Sequence, residues 1–246
     1  MSGHSKWAGI KHKKAIVDAK RGKIFTQIAN MITIAAKEGG SDVSSNFRLR
    51  LALEKARAAN MPSVNIERAI KRGTGESGGA QIEEIKYEGY GPEGVAFLIE
   101  AATDNKNRTL GEVRNVLTKH GGQMAEAGAV SWIFDQKGQI VVMNPNEEAA
   151  LTAIDAGATD VIEEDGSTYI YSDILSLNKI RQALEEAGAK IESVEIIYKP
   201  KNDIKIADKE KAKKILNLLD ALESLDDVSS VYANFDIPEA ILREMT

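Results

Sequence analysis

The residues with the clearest chemistry are the cations in the first part of the chain. Residues 1–23 hold seven lysine and arginine side chains and one acid, Asp18. The cations are Lys6, Lys11, Lys13, Lys14, Lys20, Arg21 and Lys23. Each can neutralise a phosphate and release a counterion, which supplies much of the affinity for nucleic acid. Because Trp7 adds a ring that can stack on an unpaired base, we predict that this segment binds nucleic acid, with His4 and His12 among the contacts.

The distribution of charge supports this prediction. The whole chain has a net charge of −5, but residues 1–73 carry 15 basic and five acidic side chains, a net of +10, and the other 173 residues carry −15. Such segregation predicts a polyanionic partner for the basic end, which the acidic remainder would repel and so help to orient. The alternative for residues 1–23 is a solubilising tail.

Other functional groups give little support for catalysis. The absence of cysteine excludes disulfides and thiolate chemistry and suits a reducing compartment. The histidines are His4, His12 and His120, and their spacing does not predict a metal site. Gly73–Gly78 fits the G-x-G-x-x-G pattern, but it follows a predicted helix and precedes a predicted strand, which is the reverse of a dinucleotide site. The acids at 163–165 and 226–227 are typical of solvated turns. We expect no enzyme activity, no metal and no cofactor.

Helical periodicity dominates residues 24–78, which we predict to form a helical domain after a flexible arm, residues 1–23. One helix starts at Ile24 and ends at Gly39-Gly40, a second covers about Ser45 to Ala59, and a third covers Ser63 to Arg72. A glycine-rich linker follows. Further nucleic-acid contacts predicted on this domain are Arg48, Arg50, Arg68, Lys71 and Arg72.

After residue 79 the pattern changes to strands. Ile85–Glu88 and Val95–Ala101 predict a hairpin, Thr109 and Glu112 predict a capping box, and Val130–Phe134 predicts another strand. Residues 139–198 read as strand–helix–strand–strand–helix–strand, the order of a ferredoxin-like plait.

Residues 79–137 contain too few helices to cover their own sheet. We therefore predict that the amphipathic helix and final strand near the C-terminus complete that sheet. The predicted fold class is α+β multidomain, with an N-terminal helical bundle followed by two α/β domains. Residues 79–137 plus 201–246 form a split domain, into which residues 138–200 are inserted as the plait.

The segment from Asp104 to Thr109 allows two interpretations. Its Asn and Asp residues favour a turn and its Thr favours a helix cap. Its amides and cations, next to a helix N-terminus, could instead form a second contact surface for anions. That surface would consist of Asn105, Lys106, Asn107 and Arg108.

Several of these segments resemble signatures of the YebC/PmpR family. They are Gly3–Trp7, Lys11–Ala15, Asp18–Phe25, Tyr87–Pro92, Asp104–Thr109 and Lys119–Gly122. Ala129 departs mildly from the pattern, since serine is common there. The resemblance covers essentially the whole chain and implies three domains without enzymatic activity or cofactor. Members are described as probable DNA-binding transcriptional regulators. Mitochondrial relatives resemble a translational activator of cytochrome c oxidase subunit I, and bacterial relatives have been linked to the ribosome.

Two functions therefore compete. The resemblance implies a non-enzymatic, DNA-binding regulator of transcription. The physical character of residues 1–23 favours a ribosome-associated translation factor, because cationic segments with an aromatic residue suit folded RNA. The expected partner is DNA or ribosomal RNA, with the ribosome as the larger assembly. No apolar stretch is long enough to span a bilayer, so we expect a cytoplasmic protein, and the lack of a dimer seam suggests a monomer.

Overall fold

The computed structural model describes residues 18–78, 81–143, 147–164 and 166–245. The described helices are α1 (Asp18–Gly39), α2 (Phe47–Ala58), α3 (Ser63–Gly73), α4 (Lys106–Lys119), α5 (Glu147–Ala156), α6 (Ile174–Glu186), α7 (Lys209–Glu223) and α8 (Glu239–Met245). The described strands are β1 (Glu83–Tyr90), β2 (Ala96–Thr103), β3 (Gln123–Met124), β4 (Phe134–Met143), β5 (Asp160–Glu164), β6 (Ser167–Ser172), β7 (Ile191–Pro200), β8 (Ile204–Lys205), β9 (Val228–Ala233) and β10 (Phe235–Asp236). This order confirms the predicted α+β class.

The chain divides into two compact units. One consists of residues 134–199, and the other combines the described residues before 134 with those from Pro200 onward. Among the described residues, no helix is long and apolar enough to cross a membrane.

The N-terminal helices pack around a small apolar core. Ile32 of α1 and Leu49 and Ala56 of α2 are fully buried there. Asn46 caps α2 by accepting the Leu49 N–H at 2.9 Å, and its amide also donates to the carbonyl of Ala35 at 2.8 Å. One side chain thus satisfies backbone groups of two helices, which fixes the connection between them.

Helix α1 starts at Asp18, before the predicted start at Ile24. Lys20, Arg21 and Lys23 therefore lie on a helix, whereas residues 1–17 lie outside the described part of the chain.

The first α/β sheet has the strand order β3-β1-β2-β9. The predicted hairpin is confirmed, since β1 and β2 pair antiparallel with Tyr87 opposite Ile99. Phe97 and Ile99 point into a core shared with Leu218 and Leu219 of α7. The C-terminal helix and strand thus complete this sheet, as its shortage of earlier helices predicted.

The unit of residues 134–199 is a ferredoxin-like plait. Its sheet order is β5-β6-β4-β7, and β6 pairs antiparallel with both β4 and β5. Ile140 and Ile170 from the sheet, with Leu177 and Ile180 from α6, are buried in the unit. The order of strands and helices in residues 139–198 predicted this arrangement.

The strand predicted at Val130–Phe134 is wrong. Ser131–Ile133 forms a single 3-10 turn, and β4 begins only at Phe134. The backbone N–H groups of Val130 and Ser131 donate to the carboxylate of Glu88. These donors are unavailable for a strand ladder, and a β-propensity pattern contains no information about such a distant acceptor.

Candidate nucleic-acid interface

The predicted contacts of the arm divide at Asp18. Lys6, Lys11, Lys13 and Lys14, with His4, Trp7 and His12, lie outside the described residues. Lys20 and Arg21 lie in the first turns of α1. The ammonium of Lys23 donates to the carbonyl of Glu223 at 2.5 Å, at the end of α7. Lys23 therefore helps to hold α1 against the α/β domain.

Helix α1 makes further polar contacts with the sheet. The amide of Gln27 donates to the carbonyl of Val228 at 2.5 Å, and the buried amide of Asn30 donates to the carbonyl of Ala102 at 3.2 Å. The α/β sheet thus receives donors from successive turns of one helix. We did not predict these residues, because amides inside an amphipathic helix look like ordinary surface positions in a sequence.

Arg48 connects the helical bundle to the sheet. Its guanidinium donates to both carboxylate oxygens of Glu84 at 2.7 and 2.8 Å and to Glu38 at 2.6 Å. Burial alone would lower the pKa of Arg48, but the hydrogen bonds and charges of Glu84 and Glu38 outweigh it and raise the pKa. The nucleic-acid contact predicted for Arg48 stays a prediction, and in the structure its guanidinium pairs with two acids.

Other bundle cations are more available. Arg57, Arg68 and Lys71 are exposed, and none of them forms an ion pair with another described residue. Arg50 lies 5.7 Å from the ring centre of Phe47, and its Nε is buried without a hydrogen bond. We call Arg50, Arg57, Arg68 and Lys71 the bundle cations. Arg72 lies beside them in sequence and approaches Asp104 at 3.9 Å.

The Asp104–Thr109 segment folds as a helix start. Asn105 is the N-cap of α4 and accepts the N–H of Arg108 at 3.1 Å, so the capping box predicted at Thr109 and Glu112 is wrong. Lys106 pairs with Glu83 at 2.6 Å, and Arg108 pairs with Asp227 at 2.7 Å. Asn107 is exposed. The cations of the second contact surface thus already have protein partners, although contact with nucleic acid there stays a prediction.

We predicted solvated acids at residues 226–227, and this is wrong for Asp227. Its side chain is only 14 % exposed and accepts from the hydroxyls of Thr103 and Thr109 at 3.0 and 2.7 Å, besides Arg108. Burial would raise the pKa of Asp227, but these hydrogen bonds and the charge of Arg108 outweigh it and lower the pKa. Thr109 therefore contacts a partly buried acid and does not cap its own helix.

Glu88 is a buried acid that we did not predict to have a structural role. It is 6 % exposed, and its carboxylate accepts three backbone N–H groups, those of Gly128, Val130 and Ser131. Burial would raise the pKa of Glu88, but these donors lower it. The sequence offered little signal, because strand alternation places Glu88 on the face opposite Tyr87 and the apolar core.

The described residues do not contain a cluster of histidines and acids able to hold a metal ion. His120 is the C-cap of α4. Glu163 and Glu164 are the last residues of β5. In the described part of the glycine segment, Gly73–Gly78 follows α3 and precedes β1, which is the order that argued against a dinucleotide site.

Comparison with known proteins extends these observations. The sequence model of the TACO1/YebC N-terminal domain matches residues 5–76, and that of the second and third domains matches residues 82–235. The chain belongs to the TACO1/YebC family. This confirms the resemblance predicted from the motifs, since both models belong to the same family.

Relatives of similar length support the TACO1/YebC assignment. A probable transcriptional regulatory protein of Halothermothrix orenii is 52 % identical, covering 100 % of this chain and 99 % of its own. One from Geobacter sulfurreducens is 54 % identical over 96 % of each chain. The crystal structure of a conserved hypothetical protein from Aquifex aeolicus is 49 % identical, with a TM-score of 0.87 over 95 % of this chain and 98 % of that one.

Proposed function

We propose that this TACO1/YebC protein is a nucleic-acid-binding regulator of gene expression that holds its target through the basic N-terminal end. The observation that carries the proposal is the charge segregation, with +10 on residues 1–73 and −15 on the rest. The names of its relatives support a role in transcription regulation. The proposal includes no catalytic step, and it places the protein in the cytoplasm as a monomer.

Binding would begin with phosphates. The bundle cations supply charge that no described acid neutralises by an ion pair, whereas Arg48 and Arg108 pair with acids of the fold. The lysines of residues 1–23 add to the positive charge of this end. The contacts of Gln27 and Asn30 with the sheet keep the bundle in a fixed position on its α/β domain. Repulsion from the acidic remainder would then restrict contact to one end of the molecule.

The family names favour DNA as the target. Transcription control requires side chains that read base edges in a groove. The third helix of the bundle is 11 residues long and carries Arg68 and Lys71 on its surface, and arginine is the side chain that most often reads guanine. Its proposed role is to contact the duplex while residues 1–23 track the phosphates.

A ribosome-associated translation factor is the second candidate. Trp7, which lies among the lysines, favours it, because rings suit unstacked bases better than a regular duplex. The exposed surface of α3 also contains Glu67, which a phosphate-lined groove would repel.

The proposed binding of phosphates by the basic N-terminal end can be tested with two matched triple variants. One replaces Lys11, Lys13 and Lys14 with glutamine, and the control replaces the exposed lysines Lys119, Lys213 and Lys214. If six cations contact phosphates, the slope of log affinity against log salt should fall from about −5 to about −3 on duplex DNA, and from about −4 to about −2 on a single strand, in the first variant alone. Equal affinity and slope in the parent and both variants would reject the proposal.

The target is decided by two further measurements. Sequence-selective protection of a promoter fragment at physiological salt would support transcription control, since non-selective duplex binding is expected of any cationic segment. Co-sedimentation with ribosomes that the arm triple variant loses and the control keeps would support the translation factor.

A further inference from the structure

A short turn, residues 59–62, connects α2 to α3 and is held by its own hydrogen bonds. The N–H of Met61 donates to the carbonyl of Ala56 at 2.9 Å, and the N–H of Asn60 donates to the carbonyl of Arg57 at 3.0 Å. This is the Schellman pattern, and Asn60 has the left-handed φ of 54° that the pattern requires. Met61 and Ala56 are buried in the same core. Backbone and side chains thus fix how α3 follows α2.

Helix α3 is packed at its C-terminal end and open at its start. Gly73, its last residue, lies so close to α1 that a Cβ would collide with the carbonyl oxygen of Thr33. Ala69, one turn earlier, is buried in the bundle core. At the other end Ser63 and Val64 are exposed, and Val64 is 57 % exposed although its side chain is apolar. A partner can therefore approach the first turns of α3.

This arrangement matches a helix-turn-helix unit. Such a unit joins two helices by a turn of about three or four residues, and its second helix lies in the major groove of DNA. The N-terminal residues of that second helix contact the base edges. In the bundle, α1 packs against both α2 and α3, and the start of α3 is its exposed end. Helix α3 thus has the position and the orientation of a recognition helix.

The exposed side chains of α3 form one stripe. Val64, Glu67, Arg68 and Lys71 follow one another at helical spacing and are all exposed. Within the described ranges, the three charged members of the stripe do not form an ion pair. Three of the side chains match base edges in a major groove. Arg68 can donate to guanine O6 and N7, Glu67 can accept from the amino group of cytosine, and Val64 can contact the methyl of thymine.

Glu67 gives the stripe its selectivity. A carboxylate next to Arg68 and Lys71 weakens the attraction to phosphates, so a surface that bound only by charge would gain from losing it. In the major groove the same carboxylate finds a donor on cytosine, whereas guanine and thymine present acceptors that repel it. Glu67 therefore penalises unmatched sequences, and specificity depends on such repulsion as well as on attraction.

We propose that α2, residues 59–62 and α3 form a helix-turn-helix that reads duplex DNA, with Glu67 selecting a cytosine beside a guanine bound by Arg68. The inference rests on the proposed function, in which residues 1–23 supply phosphate contacts, and deepens it by naming the residues that choose the sequence. An A-form RNA helix would not admit α3, because its major groove is too narrow for side chains to read. On an unselected duplex, Arg68 and Lys71 meet phosphates only.

A selection with the full chain tests the reading role of Glu67. The probe is a pool of DNA duplexes with a randomised core between constant ends. The parent should enrich a short motif with a fixed cytosine, and Glu67→Gln should enrich that motif with adenine in its place, because glutamine pairs with adenine N6 and N7. Glu76→Gln is the matched control, since this exposed acid follows the end of α3 and the variant removes the same charge. It should select the parental motif.

Affinities on two duplexes give the size of the effect. One duplex carries the selected motif, and the other has adenine in place of the fixed cytosine. The parent should prefer the first by about 5- to 150-fold, and Glu67→Gln should prefer the second. Arg68→Ala should lose a similar factor of discrimination at the neighbouring guanine. Thermal unfolding of Glu67→Gln should match the parent, since the side chain is exposed.

The outcomes separate this inference from the wider proposal. If the parent, Glu67→Gln and Glu76→Gln select the same motif, or the parent selects none, α3 does not read bases. The proposed function still stands in that case if the arm triple variant loses affinity. If Glu67→Gln changes the motif while the arm triple variant binds like its parent, the helix-turn-helix stands and the role of the basic arm is rejected. A Glu67-dependent motif from a randomised RNA pool, with none from DNA, would also overturn the inference.

Discussion

The guanidinium of Arg108 donates to the carboxylate of Asp227 at 2.7 Å, which joins the first turn of α4 to the turn that precedes β9. The two residues are 119 positions apart in the chain. The whole plait lies between them in sequence, so this contact closes the split domain around its insertion. Asp227 therefore stabilises the split domain through partners on the segment from Thr103 to Thr109.

Replacing Asp227 with alanine should destabilise the protein by about 2–4 kcal/mol, because it leaves the hydroxyls of Thr103 and Thr109 and the charge of Arg108 without their acceptor. Asp226 is the matched control, since it is adjacent and exposed. Its alanine variant should stay within about 0.5 kcal/mol of the parent. Chemical denaturation of both variants measures the difference, and equal midpoints would show that the Asp227 contacts do not contribute to stability.

The lowered pKa of Asp227 predicts a pH dependence of stability. Its hydrogen bonds and Arg108 favour the charged form in the folded state, against the effect of burial. The contribution is thus complete above the ordinary aspartate pKa of 3.8 and is lost as the pH falls through the lowered folded value. Unfolding free energies measured from pH 6 downward should fall less steeply below pH 4 in Asp227→Asn than in the parent. Parallel curves would contradict the assignment.

Glu88 predicts a local change at the turn of residues 128–131. Glu88→Gln keeps the shape but replaces one carboxylate oxygen with a donor, so at least one backbone N–H loses its acceptor. Amide hydrogen exchange at Gly128, Val130 and Ser131 should accelerate, while the amides of the plait core keep their rates. Glu93→Gln is a suitable control because that acid lies at the surface, where it forms an ion pair with Lys211. Unchanged exchange rates at all three amides would show that the Glu88 carboxylate does not hold the turn in place.

The sequence predicted the features that repeat locally. Periodicity located α3 and α7, the hairpin of β1 and β2 and the plait, because each buries one face at a regular spacing. It failed where one distant side chain decides the backbone. Glu88 converts the predicted strand at Val130–Phe134 into a turn, and no pattern within that segment reveals the acceptor.

The candidate site shows the same division. Composition located the basic end, because counting charges needs no structure. Composition could not show that Arg48 pairs with acids whereas Arg68 does not. Both are arginines of the basic end, and only the folded structure places Glu38 and Glu84 beside Arg48.

Gly73 should tolerate no side chain. A Cβ at this position would collide with the carbonyl oxygen of Thr33 and the methyl of Ala36, where α3 crosses α1. Gly73→Ala should cost about 1–3 kcal/mol through displacement of the helices. Gly111 is the control, since a Cβ there meets nothing within 4 Å in the exposed middle of α4, and Gly111→Ala should gain about 0.5–1 kcal/mol. Thermal melts compare the stability of the two variants. If Gly73→Ala melts at the same temperature as the parent, α1 and α3 do not pack closely at this position.

Opposite effects are expected for Arg48 and for the pair Arg68 and Lys71. Arg48→Ala removes the contacts with Glu38 and Glu84 and should lower the unfolding free energy by about 1 kcal/mol, since the pair is half exposed. Arg68→Gln with Lys71→Gln removes two cations that have no ion pair among the described residues, so it should leave stability nearly unchanged. On duplex DNA the double variant should reduce the salt slope by about 2, whereas Arg48→Ala should not change it. Denaturation and salt titration of both proteins test this together. A smaller salt slope in Arg48→Ala, with an unchanged salt slope in the double variant, would mean that Arg48 leaves its two acids to bind the target.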